Sequence, residues 1–517
     1  MSYSSSLGST ISKTHMRTPN HLSPFSGMCS VCTLECTGPC EIGLSAIRGS
    51  EAIYPFATDI NQFASEKDYP LDFSHFNING RIFGAWGCNE SVEQATYPKV
   101  NLRSTFGKKH QVPLKAPIIL PAMAKLNWKD YYAGAALAGV VVVIGEDVVM
   151  KDKNLELKRG KVHSSPLLKE MVESFRAYDQ GYGDIVVQAN MDDEHLGVLE
   201  YAIEKLNVTS VEIKFGQAAK GIQGLGRVKS LDDALRLKEL GYLIHPDPLD
   251  PAIAASYRKG VGQTFEKVGK LPIWEETSLV RRVEELRQLG VKRVCFKTGP
   301  FDGKDLMDLL MIASAAETDL VTFDGAGGGT GNSPAKMMNE WGIPTVNLES
   351  LVYRMLDKMQ EKGYALPPVA ITGGFSMEDH VFKGLALGAP YITLVGIGRA
   401  AMAAAMVGKQ VGDEIAAGAA PKEYQRFGTT LEEVFENVKQ LKVVYGNEAL
   451  NISPGAIGLY SYLERISVGL QQLMALNRRF SLEHVSRDDL IPLTALASST
   501  TGIKSCAERL TEVLDRW

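Results

Sequence analysis

Eight short apolar runs recur through the middle of this chain, and they constrain its fold more than any other feature. They are Pro117–Pro121, Val140–Gly145, Asp184–Ala189, Ser210–Phe215, Arg293–Lys297, Leu320–Phe323, Val369–Thr372 and Tyr391–Val395. Most are rich in Val and Ile and lack polar alternation, as strands buried on both faces do. Amphipathic helical patterns separate many of them, for example Lys304–Ala316 and Leu348–Lys362. Eight strand–helix units over roughly 280 residues predict an α/β chain folded as a (β/α)8 TIM barrel, a fold of about 250 residues. One large insertion is expected between the fourth and fifth strands, at about 216–285.

The 517 residues exceed one such barrel. We divide them into a polar arm (1–27), a cysteine-rich lead-in (28–115), the barrel (116–407) and a helical C-terminal extension (408–517). Helical patterns in the extension include Thr430–Leu441, Leu459–Leu476 and Ala507–Asp515. A net charge of −5 and a pI near 6.1 give no electrostatic reason to expect nucleic acid or an anionic membrane as partner. The basic run Lys151–Lys161 reads as a solvated loop. The Ser-rich N-terminus has no apolar core of a signal sequence. The longest apolar run, Tyr131–Gly145, falls short of the ~20 residues a membrane span needs. A cytoplasmic protein is expected.

Four of the seven cysteines, Cys29, Cys32, Cys36 and Cys40, crowd into CSVCTLECTGPC. Disulfides between such close neighbours would be strained, so shared coordination is favoured. Tetrahedral zinc usually takes two separated CxxC knuckles. A single loop carrying four thiolates suits an iron–sulfur cluster, a 4Fe–4S centre, better than zinc. Cys88 could supplement a ligand, although a lone cysteine is more often a small buried hydrophobe.

Barrels of this kind gather chemistry at the C-terminal ends of their strands. Ala122 and Met123 follow the first run, Gln188 lies in the third, and Gln217 and Lys220 follow the fourth. Lys297 ends the fifth. Asp324 opens DGAGGGTGNSP after the sixth, with Gly325, Gly327, Gly328 and Gly329 in its glycine run. Gly373 and Gly374 follow the seventh run, and Gly396, Gly398 and Arg399 the eighth. Phosphate is commonly held after strands seven and eight at a helix N-terminus, so these last five residues form the candidate phosphate site. Tight helix–strand packing is the plainer reason for glycine at such places. No GxGxxG opens a βαβ unit, so a Rossmann site is not indicated. Lys220 suits a carboxylate ligand, with Gln217 as a neutral partner, and its plainer reading is a solvated loop lysine.

The segments VEIKFGQAAKGIQG, CFKTGPF, FDGAGGGTGNSP and ITGGFSMEDHVFKGLALGAPYI, in that order, closely resemble the FMN-binding barrel of glutamate synthases. The resemblance spans about 116–408 and is closest to stand-alone glutamate synthase-related chains, including N-methylglutamate synthase large subunits. It implies FMN with Gln188 and Lys297 at its ring and Gly373, Gly374, Gly396 and Gly398 around its phosphate. It further implies Gln217 and Lys220 on 2-oxoglutarate or 2-iminoglutarate, and the glycine run from Asp324 lining the pocket. Three departures stand out. Gln223 replaces the acidic residue of the family's KPGEGG loop, the region GRAAMAAAMVGKQVG has no cysteine, and the chain begins Met1-Ser2-Tyr3 without a glutaminase cysteine.

The expected function is therefore FMN-dependent reductive amination of 2-oxoglutarate to glutamate through 2-iminoglutarate. Lys297, Lys220 and Gln217 are the catalytic candidates. Ammonia or an amine would come from solution or a separate glutaminase subunit, electrons from a ferredoxin or another donor subunit, and the protein would be oligomeric. The alternatives are amine exchange, forming N-methylglutamate from glutamate and methylamine, and a non-catalytic flavin and iron–sulfur electron-transfer subunit.

Overall fold

The computed structural model describes residues 3–5, 15–19, 46–47, 67–123, 127–216, 225–228, 230–261, 264–328, 337 and 340–517. Eight parallel strands close into a barrel: β1 (Ile118–Met123), β2 (Val141–Ile144), β3 (Asp184–Ala189), β4 (Ser210–Phe215), β5 (Arg293–Thr298), β6 (Leu320–Asp324), β7 (Val369–Thr372) and β8 (Ile392–Gly396). Each pairs with its neighbours in sequence, and β8 pairs with β1. The strands after which a helix returns the chain are followed by α1 (Trp128–Ala138), α2 (Pro166–Arg176), α3 (Val198–Glu204), α4 (Glu276–Gln288), α5 (Gly303–Ala315), α6 (Thr345–Glu361), α7 (Glu378–Gly388) and α8 (Arg399–Ala416). The predicted (β/α)8 barrel is the observed fold, and each predicted strand falls on one of β1–β8.

Most strands lack polar alternation, as expected, but β4 does not. In β4, Ser210, Glu212 and Lys214 alternate with Val211, Ile213 and Phe215. A barrel strand has one face toward the helices and one toward the interior, and here that interior changes character along its length. Its lower part is apolar: Ile119, Val141, Val143, Val186, Cys295, Leu320, Ala370 and Leu394 pack together. Phe106 and Leu114 join this cluster from the hairpin Ser104–Phe106/Val112–Leu114. The lead-in thereby plugs the N-terminal end of the barrel. Nearby, Arg293 of β5 bonds Asp184 of β3 at 2.8 Å and the carbonyl of His110 at 2.7 Å, which ties the plug to the wall.

The insertion has a fold of its own. A three-stranded antiparallel sheet (Leu225–Val228, Phe265–Val268, Leu243–His245) carries the helices Leu231–Glu239 and Pro251–Arg258. Its described elements end before α4, which begins at Glu276. The basic run 151–161 contains strand Glu156–Lys158, paired with Lys161–Ser164, rather than being only a loop. In the C-terminal extension, α9 (Pro454–Leu476) packs across α8 and α1. Glycines permit the close crossing: a Cβ on Gly408 would lie 2.6 Å from the Pro454 carbonyl. The expected boundary at 408 therefore falls inside α8. The predicted helix Thr430–Leu441 is broken into Leu431–Val434 and Val438–Tyr445. Among the described residues, no helix is long and apolar enough to cross a membrane.

Candidate functional site

All eight strands end at one rim, so inward side chains near their C-terminal ends share one space. Alternation places Gln188, Glu212, Lys214, Lys297, Thr322, Asp324 and Thr372 there, above the apolar layer, and all are buried. The register sets Gln188 beside Glu212, Lys214 beside Lys297, Lys297 beside Thr322, and Asp324 beside Thr372.

Buried charge is tolerated only when paired and hydrogen-bonded, and these groups are. Lys214 Nζ lies 2.5 Å from Glu146 Oε1, on the turn after β2. Lys297 Nζ lies 3.2 Å from Asp324 Oδ2. Gln188 Nε2 donates to Glu212 Oε1 at 2.5 Å. Burial would raise the Glu146 carboxyl, but the charge and hydrogen bond of Lys214, a backbone hydrogen bond and Lys297 together outweigh it and hold the group at about 2. Burial lifts Glu212 above the usual carboxylate range, with Lys297 and Gln188 offsetting only part of that rise. For Lys297 burial works downward, yet Asp324, Glu212 and Glu146 together hold it above its usual value. Lys297 is thus a firmly protonated cation at the floor of the mouth. Two buried polar atoms in this layer, Gln188 Oε1 and Thr322 Oγ1, have no hydrogen-bond partner among the described residues. Native proteins rarely leave such atoms unpaired, so they mark where a ligand would bond.

The glycines fall into two groups. At Gly325 a Cβ would lie 2.3 Å from Thr345 Oγ1, at Gly327 2.5 Å from the Gly373 carbonyl, and at Gly396 2.6 Å from Thr372 Cβ. Gly328 and Gly373 are equally closed, by Asp324 and Thr345. These five are small because protein packs against them, the plainer of the two readings. Gly374 and Gly398 differ: the nearest atoms to an added Cβ are 3.6 and 3.5 Å away. Gly374 also has φ +103°, a conformation that favours glycine. Gly398 is the N-cap of α8 and offers no side-chain cap, so the first N–H groups of that helix are available to an anion. Arg399 begins the helix. Burial lowers its pKa, and Asp324 opposes that shift.

Ala122 and Met123 end β1 and are partly buried, and the Met123 carbonyl accepts a hydrogen bond from the Tyr132 hydroxyl at 2.6 Å. The structure therefore brings together Gln188, Lys297, Asp324, Gly373, Gly374, Gly396, Gly398 and Arg399 at one end of the barrel. Gln217, Lys220, Gln223, Gly329 and the cysteines Cys29, Cys32, Cys36 and Cys40 lie outside the described residues. Sequence reasoning missed Glu146, Glu212, Lys214 and Thr322. The period-two pattern of β4 was the available signal for two of them. A separate cavity of about 260 Å³, bordered by Asn101, Lys115, Glu464 and Gln471, lies at the opposite, N-terminal end of the barrel, away from this chemistry.

The comparisons with known proteins are as follows. Residues 270–411 match a family described as the conserved region in glutamate synthase. No curated protein sequence matches the chain. Among solved structures, the chain resembles the flavin-binding domain of baker's yeast flavocytochrome b2, at 15% identity over 85% of this chain and 81% of that one, with TM-score 0.45. It also resembles a lactate oxidase of Pediococcus acidilactici (14%, 82% and 84%, TM-score 0.44) and (S)-mandelate dehydrogenase (14%, 81% and 89%, TM-score 0.42).

Reductive amination to glutamate, expected for the chain as a whole, is not upheld by these findings: the glutamate synthase match is confined to residues 270–411. The iron–sulfur or zinc expectation falls on Cys29, Cys32, Cys36 and Cys40, which lie outside the described residues. Among the described residues no group of His, Cys, Asp or Glu is placed to hold a metal, and Cys88, Cys295 and Cys506 are free thiols.

Proposed function

We propose that this chain is an FMN-dependent oxidoreductase acting on the CH–NH2 group of a small amino acid. The observation that carries the reading is the barrel mouth, where a buried, charged Lys297 and the orphan atoms Gln188 Oε1 and Thr322 Oγ1 accompany the open glycines Gly374 and Gly398 at an uncapped helix start. A flat polar ring system with a phosphate tail needs those features together. Gly374, Gly398 and Arg399 would hold the phosphate, and Gln188, Thr322 and Lys297 would bond the ring edge. When bound, FMN supplies the capacity to take a hydride from carbon or return it.

The chain's own residues bind and orient. Lys297 offers positive charge beneath the site, where it offsets charge brought by an anionic ligand. The Lys214–Glu146 pair places a second cation and a carboxylate at the same rim, a combination suited to the two ends of an amino acid. Within this class, amine exchange is the narrower reading. The amino group of glutamate would be replaced by methylamine, with ammonia released and no net oxidation. The match of 270–411 to a glutamate synthase region supports a glutamate-like substrate.

The test is direct. The protein is purified, its bound small molecules are released by denaturation and identified by mass, and it is then incubated anaerobically with glutamate and methylamine. Equimolar FMN together with steady ammonia and N-methylglutamate formation is the expected result. Oxidation of 2-hydroxy acids such as lactate, without turnover of any amino acid, would overturn the substrate class. Absence of flavin binding would overturn the whole proposal.

A further inference from the structure

Glu146, which pairs with Lys214, is followed by a residue in an uncommon conformation. Asp147 has φ +63° and ψ 19°, in the left-handed region that a residue with a Cβ seldom adopts. Three contacts fix it. Lys267 Nζ lies 2.8 Å from Asp147 Oδ1, Asn190 Nδ2 donates to the same oxygen at 3.2 Å, and the Asp147 backbone N–H donates to Asp193 Oδ2 at 2.9 Å. Asn190 follows β3 directly and its side chain caps the helix Met191–Leu196, to which Asp193 belongs. Lys267 comes from elsewhere: it lies on the insertion strand Phe265–Val268, only 2% exposed, and reaches under both segments.

Charges on every side of Lys267 favour this placement. Its Nζ is also 3.1 Å from Asp192 Oδ2 and 5.0 Å from the centre of the Tyr242 ring. Lys270, also from the insertion, stands 3.6 Å from Asp192. Burial, with Asp147 as the next cause, pushes the Asp193 carboxyl well above its usual range. Without Lys267, the carboxyls of Asp147, Asp192 and Asp193 would face one another without its charge, and Asp147 would lose its shortest side-chain contact, one that helps hold it left-handed.

We propose that Lys267 is a positioning residue by which the insertion locks the Asp147 turn and so aims Glu146 at Lys214. The insertion is then a working part of the barrel mouth: when its sheet is in place, Lys214 is held in an ion pair, and when Lys267 is withdrawn, Lys214 becomes a free cation at the rim. The inference rests on the proposed function only in counting the Lys214 pair as part of the substrate site. Its test does not depend on turnover.

The experiment measures the rate at which an amine-reactive ester labels each lysine of the folded protein, read by peptide mass spectrometry. Lys214 is the reporter and Lys297, equally buried but on β5, the internal reference. The Glu146→Gln variant calibrates the response of Lys214 to loss of its partner. Lys267→Met is expected to raise Lys214 labelling at least tenfold while Lys297 stays slow, and Lys267→Arg to restore protection. Asp147→Asn keeps a residue that tolerates the turn but removes the charge, and a smaller rise is expected, which serves if Lys267→Met does not fold. Unchanged Lys214 labelling in these variants would overturn the proposal. So would an equal rise at Lys297, which would indicate general loosening.

Discussion

Replacing Lys297 by methionine removes the cation 3.2 Å from Asp324 while keeping most of the buried side-chain volume. At an effective dielectric of about 20, unit charges at that separation attract by about 5 kcal/mol. Methionine avoids the desolvation that the lysine suffers, so the net loss is smaller, and breaking one side of a buried pair typically costs about 3–5 kcal/mol. The sign of the pH dependence follows from Glu212, whose carboxyl is already raised by burial and is held down in part by Lys297. A carboxyl with a raised folded pKa contributes stability that is present below its unfolded pKa and lost as pH rises through the folded value. Removing Lys297 raises that folded value further and leaves Asp324 without its partner. The Lys297→Met variant should therefore melt several degrees below the parent at pH 8 and closer to it at pH 5, where Glu212 can protonate. Thermal unfolding of both proteins at the two pH values is the assay. Equal losses at both, or a larger loss at pH 5, would refute the reasoning.

Lys214→Met should act in the opposite limb. Glu146 is depressed from 4.5 to about 2, so its contribution is present above 4.5 and lost as pH falls toward 2. The stability gap between parent and variant should narrow over that interval in an acid-unfolding series. Glu349 on α6 is fully buried, and neither of its oxygens has a hydrogen-bond partner among the described residues. Burial raises its pKa well above normal, against a weaker pull from Arg487. Glu349→Met should therefore stabilise the protein at pH 9 with little effect near pH 4, measured by thermal melts. The two glycine groups should separate in one experiment. Gly398→Ala should leave the melting temperature of flavin-free protein nearly unchanged but weaken FMN binding about tenfold, the equivalent of about 1.4 kcal/mol. Gly396→Ala, 2.6 Å from Thr372 Cβ, should lower the melting temperature itself. Loss of stability in both, with FMN affinity unchanged in the first, would remove Gly398 from the phosphate site.

The barrel was legible in the sequence because its cause is local. Runs such as Val141–Ile144 and Val369–Thr372 bury every residue, and a chain that alternates such runs with amphipathic helices has few ways to cover them. Strand ends, and with them Gln188, Lys297, Asp324 and the glycine turns, could be placed to within a residue or two for the same reason. Which glycines are packed and which are open could not be read, since Gly396 is closed by Thr372 and Gly373 by Thr345, contacts between segments distant along the chain. The polar layer was half visible. Glu212 and Lys214 show in the alternation of β4, but Glu146 sits in a turn and is paired with Lys214, 68 residues away.

The sequence by itself determined the strand–helix order and the end of the barrel where chemistry collects, because burial and chain direction dictate both. Only the tertiary structure decided how charge is arranged there. A lysine's partner depends on which strands adjoin and which loop leans over them, and neither is written in local pattern. Lys267 shows this most plainly: in sequence it is one lysine in a polar insertion, and in the fold it lies beneath the loops after β2 and β3, 2.8 Å from Asp147.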